Sequence, residues 1–192
     1  MHAEFADWIR HAGIADRALK TGCIAAEFVL PDIYGNLVAS RDLLANGPLI
    51  LAFLPSVSFG SYLADLAALN AAQFKIREAG ATVAAVACDL ADSSLDLVRD
   101  HFPDLTVLCD LDYGLCLAFG VLSLVPLHLA TKWDALNLDR TVLKPTAGRV
   151  FSIPATYVIE TSGVIPAAFI DPDGTAPPSA AQIVQPLNRT SG

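Results

Sequence analysis

Apolar and polar residues recur along the chain with different periods, and each period predicts an element. Phe5, Trp8, Ile9 and Ala12 fall at i, i+3, i+4 and i+7, which predicts an amphipathic helix near the N-terminus with one apolar face. Such a face docks on the body of the protein or crosses to a second subunit. After Gly22, residues 27–30, the turn Tyr34-Gly35-Asn36 and residues 37–38 predict a small hairpin, and Ser40 is placed to cap a helical turn through Leu44. Residues 49–54 form a continuous apolar run between Pro48 and Pro55, as expected of a strand covered on both faces. From Gly60 to Glu78 the pattern turns helical, with Leu63, Leu66, Leu69 or Asn70, and Phe74 inward, Asp65, Lys75 and Glu78 outward, and Gly80 at the end.

Residues 82–88 are β-branched and alanine-rich, so 49–88 predicts a strand–helix–strand unit with parallel strands. A helix over 93–101, a short strand over 105–109 and a helical piece near 113–119 follow. Residues 123–149 predict a partly helical insertion around 128–136 and then a loop with Pro145, Thr146 and Gly148. Residues 155–160, the turn Thr161-Ser162-Gly163 and residues 164–170 make a hairpin, and 180–187 a closing helix. The fold class is α/β: a thioredoxin-like sandwich with a central mixed sheet flanked by helices. Residues 1–21 form a helical extension and residues 22–192 the domain.

Composition narrows the function. The chain has 192 residues, 54% of them hydrophobic and 17% charged, which is enough to bury a core of its own. Two uncharged stretches, 43–64 and 113–131, are broken by Gly47, Pro48, Pro55 and Gly60, and by Gly114, Gly120 and Pro126, so neither reads as a membrane span. With Glu4, Asp7 and Asp16 near the start and no apolar signal core, the expectation is a cytoplasmic protein. A net charge of -8 disfavours nucleic acid and anionic lipid. Much of the acid lies between Asp89 and Asp112, with Arg99 the one cation there; without the spacing of a calcium loop it reads as a solvated face. Cys23, Cys88, Cys109 and Cys116 contain no Cys-x-x-Cys, so no metal and no cofactor is expected, and the ordinary role of such cysteines is as small buried hydrophobes.

Several segments, in order, carry a resemblance: Gly22 with Glu27-Phe28-Val29-Leu30-Pro31-Asp32 and Gly35; residues 49–53; Gly80-Ala81-Thr82-Val83; Val107-Leu108-Cys109-Asp110; and Ala118-Phe119-Gly120-Val121. Ile153-Pro154-Ala155-Thr156-Tyr157-Val158-Ile159 and Phe169-Ile170-Asp171-Pro172-Asp173 complete it. Together they resemble the alkyl hydroperoxide reductase and thiol-specific antioxidant group, the peroxiredoxin-like branch of the thioredoxin fold. The resemblance implies redox chemistry by a thiolate at the start of the helix after the first core strand. There the helix N-terminus lowers the thiol pKa, the thiolate attacks peroxide, and a second thiol resolves the sulfenic acid.

In the branch this chain most resembles, that position carries Cys-x-x-Cys. Residues 53–69 align without a gap and place Phe59 at the first cysteine and Tyr62 at the second. Neither can form a sulfenate. Pro154 matches the proline that follows a cis peptide bond beside the site. The leading expectation is a member of the antioxidant family without its peroxidatic cysteine. It would bind a small apolar ligand or a protein partner through Ser56, Ser58, Phe59, Tyr62 and Pro154, and a homodimer is compatible with the N-terminal stripe.

Two other readings compete. Cys88 and Cys109 end neighbouring strands, and ligand crevices open at the carboxyl ends of strands, so Cys88, alone or paired with Cys109, could serve as a relocated redox thiol. Cys23 and Cys116 rank below them. Separately, Ser56-Val57-Ser58-Phe59-Gly60 approximates a hydrolase nucleophile elbow, with Ser58 as nucleophile, His128 or His101 as base and Asp110 as orienter. Against it, Ser56 stands where glycine is usual, and a helix N-cap is the ordinary role for Ser58.

Overall fold

The long apolar runs assemble into one mixed sheet with helices on both faces. The computed structural model describes residues 3–54, 59–88, 92–126, 128–129, 150–172 and 177–187. The chain opens with helices α1 (Ala3–His11) and α2 (Ile14–Arg17), then the hairpin β1 (Val29–Pro31) and β2 (Leu37–Ala39), and α3 (Ser40–Leu44). The centre follows as β3 (Leu49–Phe53), α4 (Phe59–Glu78), β4 (Thr82–Ala87), α5 (Asp92–His101), β5 (Thr106–Cys109) and α6 (Gly114–Ala118). The last elements are β6 (Leu122–Leu124), β7 (Val150–Ser152), β8 (Ala155–Ile159), β9 (Ala167–Ile170) and α7 (Ala180–Val184).

The five-stranded sheet has the order β5-β4-β3-β8-β9. β3, β4 and β5 run parallel, which requires crossovers, and α4 and α5 lie between them in sequence. β8 pairs antiparallel with β3, and β9 antiparallel with β8. All of β3 is buried because it lies at the middle of the sheet. Side chains alternate across a strand, so each strand feeds two layers. Leu49, Leu51 and Phe53 join Ile9, Ile14, Phe119 and Tyr157 on one face. Ile50 and Ala52 join Leu66, Leu69 and Ile76 of α4, and Ile183 of α7, on the other.

The N-terminal stripe resolves in favour of docking on the chain's own body. Ile9 and Ile14 lie inside the first layer, and Trp8 and Ala12 pack against it. The β1–β2 turn forms because Asp32 accepts hydrogen bonds from the backbone N–H groups of Tyr34 and Asn36 on one carboxylate oxygen, while Gly35 takes a left-handed conformation.

Four sequence expectations change. Phe74, expected inward, is 69% exposed; from residue 63 on, the buried positions of α4 are Leu66, Leu69, Gln73 and Ile76, and Phe74 is turned about 100° from Gln73. Ser40 does not cap α3: it is already helical, the cap is Ala39, and the Ser40 hydroxyl accepts from the Phe28 N–H. The peptide before Pro154 is not cis, since no cis bond occurs among the described residues. The backbone on both sides is tied in, the Ile153 N–H donating to the Val121 carbonyl and the Asp171 N–H to the Pro154 carbonyl. Finally, β6 and β7, at the two ends of the stretch 123–149 expected to hold helix and loop, pair into a separate two-stranded sheet. Of the helix expected over 128–136, His128 and Leu129 are helical, and the remainder lies outside the described residues.

Candidate functional site

One end of the sheet gathers the chemistry-bearing residues. Parallel pairing of Phe53 with Val86 and of Ala87 with Cys109 brings the carboxyl ends of β3, β4 and β5 to the same edge. Antiparallel pairing of Phe53 with Ala155 brings Pro154, just before β8, to that edge beside the exit of β3. Leu54, Cys88, Cys109, Asp110 and Pro154 therefore share the end from which the chain leads to α4, as strand-end crevices require.

α4 begins at Phe59, so its first turn carries Phe59 and Tyr62, the pair that the resemblance in sequence sets against the family's two thiols. Their side chains, together with Ser56 and Ser58, lie outside the described residues. Pro154 is half-buried at the same sheet end. Further along α4, Asp65 lies where burial raises its carboxyl above the usual range, with Asp171 adding to the shift.

The cysteines divide between the two faces. Cys88 belongs to the layer with Phe53, Phe119 and Tyr157, whereas Cys109 belongs to the layer under α4. Cys109 pairs in register with Ala87, so Cys88, one residue on, faces the opposite way. The structure thus separates Cys88 from Cys109 by the thickness of the sheet and turns Cys88 away from α4.

Cys88 instead meets Cys116 of α6, with the sulfurs 2.7 Å apart. Asp110 fixes this arrangement. It follows β5, is fully buried, and accepts from the Leu115 N–H at 3.1 Å on one oxygen and from the Cys116 N–H at 2.8 Å on the other. Those two N–H groups lie in the first turn of α6 and have no intrahelical acceptor, so the carboxylate completes the helix start. Cys88, Asp110 and Cys116 present ligand-type atoms within 4.8 Å of one another, all buried. The Cys88 side chain, and then burial, push the Cys116 thiol well above its ordinary range, and Asp110 adds to the shift. Nearby, the buried Tyr157 ring packs between Phe53 and Phe119, and the phenol is shifted upward by burial and then by Cys23 and Cys116.

The sequence alone places Cys116 below Cys88 and Cys109 as a redox candidate and Asp110 in an acidic stretch that reads as solvated. The acidic stretch is exposed at Asp96, Asp100, Asp104 and Asp112, but not at Asp110. The available signal was an aspartate directly after a buried strand and shortly before the helical spacing Leu115, Cys116, Phe119, where capping is the ordinary role. The same geometry removes Asp110 as the orienter of a hydrolase triad, because both oxygens are engaged by α6. His101 is exposed and its ring Nδ1 contacts the Leu97 carbonyl of its own helix, and His128 is also exposed.

No helix among the described residues is long and apolar enough to cross a membrane. Comparison with solved structures finds the same fold. A mutant of Xylella fastidiosa PrxQ superposes with a TM-score of 0.67 at 17% identity, covering 91% of this chain and 98% of its own. AhpC of Mycobacterium tuberculosis gives 0.63 at 13% identity, covering 91% and 94%. Peroxidoxin BcpB of the same organism gives 0.58 at 21% identity, covering 89% and 97%. No curated protein matches the chain. A sequence model described as the AhpC/TSA family matches residues 21–168, most of the thioredoxin-like sandwich built above. The chain belongs to the AhpC/TSA family.

Proposed function

We propose that this protein is a member of the family that does not run a peroxidase cycle at the start of α4, and that it acts as a binding or interaction module on the family scaffold. One observation carries the reading: α4 starts at Phe59, at the sheet end where the family's thiolate is expected, and its first turn contains Phe59 and Tyr62 and no sulfur. Peroxide reduction there needs a nucleophile that can accept oxygen and release it as water, and neither an aromatic ring nor a phenol does this. The segment with Ser56, Ser58, Phe59, Tyr62 and Pro154 is more apolar than a dithiol site, which suits a small apolar or carbonyl ligand or a protein partner.

The test is peroxide consumption in the presence of a dithiol reductant. Wild-type protein is expected to consume peroxide no faster than an equal concentration of free cysteine. Phe59→Cys combined with Tyr62→Cys is expected to raise the rate above that reference, because the sheet end and helix start remain in place. Turnover well above free cysteine that persists in Cys88→Ser would overturn the proposal, whereas turnover lost in Cys88→Ser belongs to the opposite face of the sheet.

A further inference from the structure

We infer that Cys88 and Cys116 form a redox-active pair, closing to a disulfide that ties the end of β4 to α6 when the protein meets hydroperoxide. This inference is independent of the reading of α4, since it concerns the opposite face of the sheet. The sulfurs lie 2.7 Å apart, well inside the roughly 3.5–4.0 Å at which non-bonded heavy atoms rest. A disulfide needs them at about 2.05 Å, a small further approach. A tetrahedral metal held by two thiolates at about 2.3 Å would instead need them about 3.7 Å apart, so a metal requires the pair to separate. The third group of the cluster, Asp110, already accepts two backbone N–H groups and holds Cys116 in place.

The chemistry balances with hydrogen peroxide as the oxidant. Cys88 is 4% exposed and Cys116 fully enclosed, so a small oxidant arriving from outside meets Cys88 first. Cys116, shifted upward, keeps its proton at this stage. The Cys88 sulfur bonds to one peroxide oxygen as the O–O bond breaks, giving a sulfenic acid, and the thiol proton leaves with the other oxygen as water. Cys116 sulfur then attacks the sulfenic sulfur. The S–O bond breaks, the hydroxyl leaves with the Cys116 proton as a second water, and the S–S bond forms. Two thiols are oxidised by two electrons and one peroxide is reduced to two waters.

The pair lies in the layer on the face of the sheet away from α4. The cross-link joins residues separated by 28 positions, from the sheet end to the helix that packs against Phe119 and the N-terminal segment.

The experiment uses the full-length protein, reduced and freed of reductant, then exposed to hydrogen peroxide, denatured, alkylated and digested. Alkylatable thiols are expected to fall from four to two, with a Cys88–Cys116 cross-linked peptide in the digest. Cys116→Ser is expected to stop at a Cys88 sulfenic acid that dimedone labels. If that variant does not fold, mapping of the wild type decides. Four alkylatable thiols after peroxide, or a cross-link joining another pair, would overturn the inference. So would masking of Cys88 and Cys116 in the reduced protein that a chelator relieves, since that is a metal site.

Discussion

Tyr157 lies in the middle of β8, its ring packed edge-on against Phe53, with centroids 5.8 Å apart and planes at 87°, and against Phe119 at 5.0 Å and 67°. Its hydroxyl is enclosed and has no hydrogen-bonding partner among the described residues. A buried hydroxyl that gives up water without replacement costs about 1–3 kcal/mol. Tyr157→Phe removes that cost and keeps every ring contact. What it loses is the dispersion of one oxygen and the small gap it leaves, about 0.5–1 kcal/mol. The expected result is a net stabilisation of about 1 kcal/mol, which for a domain of this size raises Tm by roughly 2–4 °C. Urea unfolding followed by tryptophan fluorescence, under reducing conditions so that Cys88 and Cys116 stay thiols, measures it. Tyr157→Ala, which also removes the ring, is expected to cost about 3–5 kcal/mol.

The ionisation of the phenol gives a second readout of the same environment. Burial, with Cys23 and Cys116 adding to it, raises Tyr157 above its ordinary value of 10.0. The native state therefore holds this proton at pH values where the unfolded chain releases it. Stability is unaffected below pH 10 and falls as pH rises beyond it, because the unfolded state then binds fewer protons than the native one. Tyr157→Phe is expected to remove this part of the alkaline loss. Refutation would be a Phe variant that is less stable than wild type by 1 kcal/mol or more at neutral pH. That result means the hydroxyl makes a bond in the native state, and the upward shift has another origin.

Two further perturbations test other parts of the same structure. The Asp65 carboxyl is raised by burial and by Asp171, so the native state binds its proton more tightly than the unfolded chain. The contribution of Asp65 is therefore most favourable below its ordinary value of 3.8 and is lost as pH rises through the raised native value. Asp65→Asn is expected to be more stable than wild type at neutral pH and to lose that advantage at low pH; equal urea midpoints at both would rule the account out. Gly120 has φ +69, and a Cβ there would overlap the Arg17 carbonyl, whereas Gly163, at φ +84, would meet only Ile24 Cγ2 at 3.7 Å. Gly120→Ala should cost about 2–4 kcal/mol, the left-handed penalty plus a backbone collision, and Gly163→Ala about 1–2 kcal/mol. Equal losses in the two variants would show that α2 does not approach α6 as closely as the structure has it.

The inner strands of the sheet were legible because they are mostly buried and therefore mostly apolar. The run 49–54 could only be an interior strand, and it became β3 with every residue buried. Helix α4 was legible in extent but not in facing. Apolar residues occupy both Phe74 and Ile76, and only docking against β4 and α7 selects Ile76 over Phe74. β6 and β7 were not legible, because Leu122–Leu124 and Val150–Ser152 are too short to announce themselves and pair across a long separation in the chain. That the first turn of α4, with Phe59 and Tyr62, holds no sulfur is read from residue identity alone. The docking of α1 on its own chain is not, because an apolar stripe states only that it is covered and not by what.

The choice among the remaining cysteines depends on something no single-residue property carries, namely strand register. Side chains alternate with a period of two, so a slip of one residue between β4 and β5 exchanges the faces of Cys88 and Cys109 relative to each other. In the structure the register is fixed by the pairing of Ala87 with Cys109 and by the Asp110 N–H donating to the Ala87 carbonyl at 2.9 Å. That one bond has two consequences. It carries the chain past β5 so that the Asp110 carboxylate turns back onto α6 and seats Cys116, and it leaves Cys88 on the face where α6 lies. Neighbouring strand ends made Cys88 and Cys109 look like partners in the sequence, but adjacency along a sheet edge is not adjacency through the sheet. The thiol that can reach Cys88 comes from the helix that Asp110 holds. Redox chemistry in this chain is therefore to be sought on the face opposite α4, where the structure brings two sulfurs together.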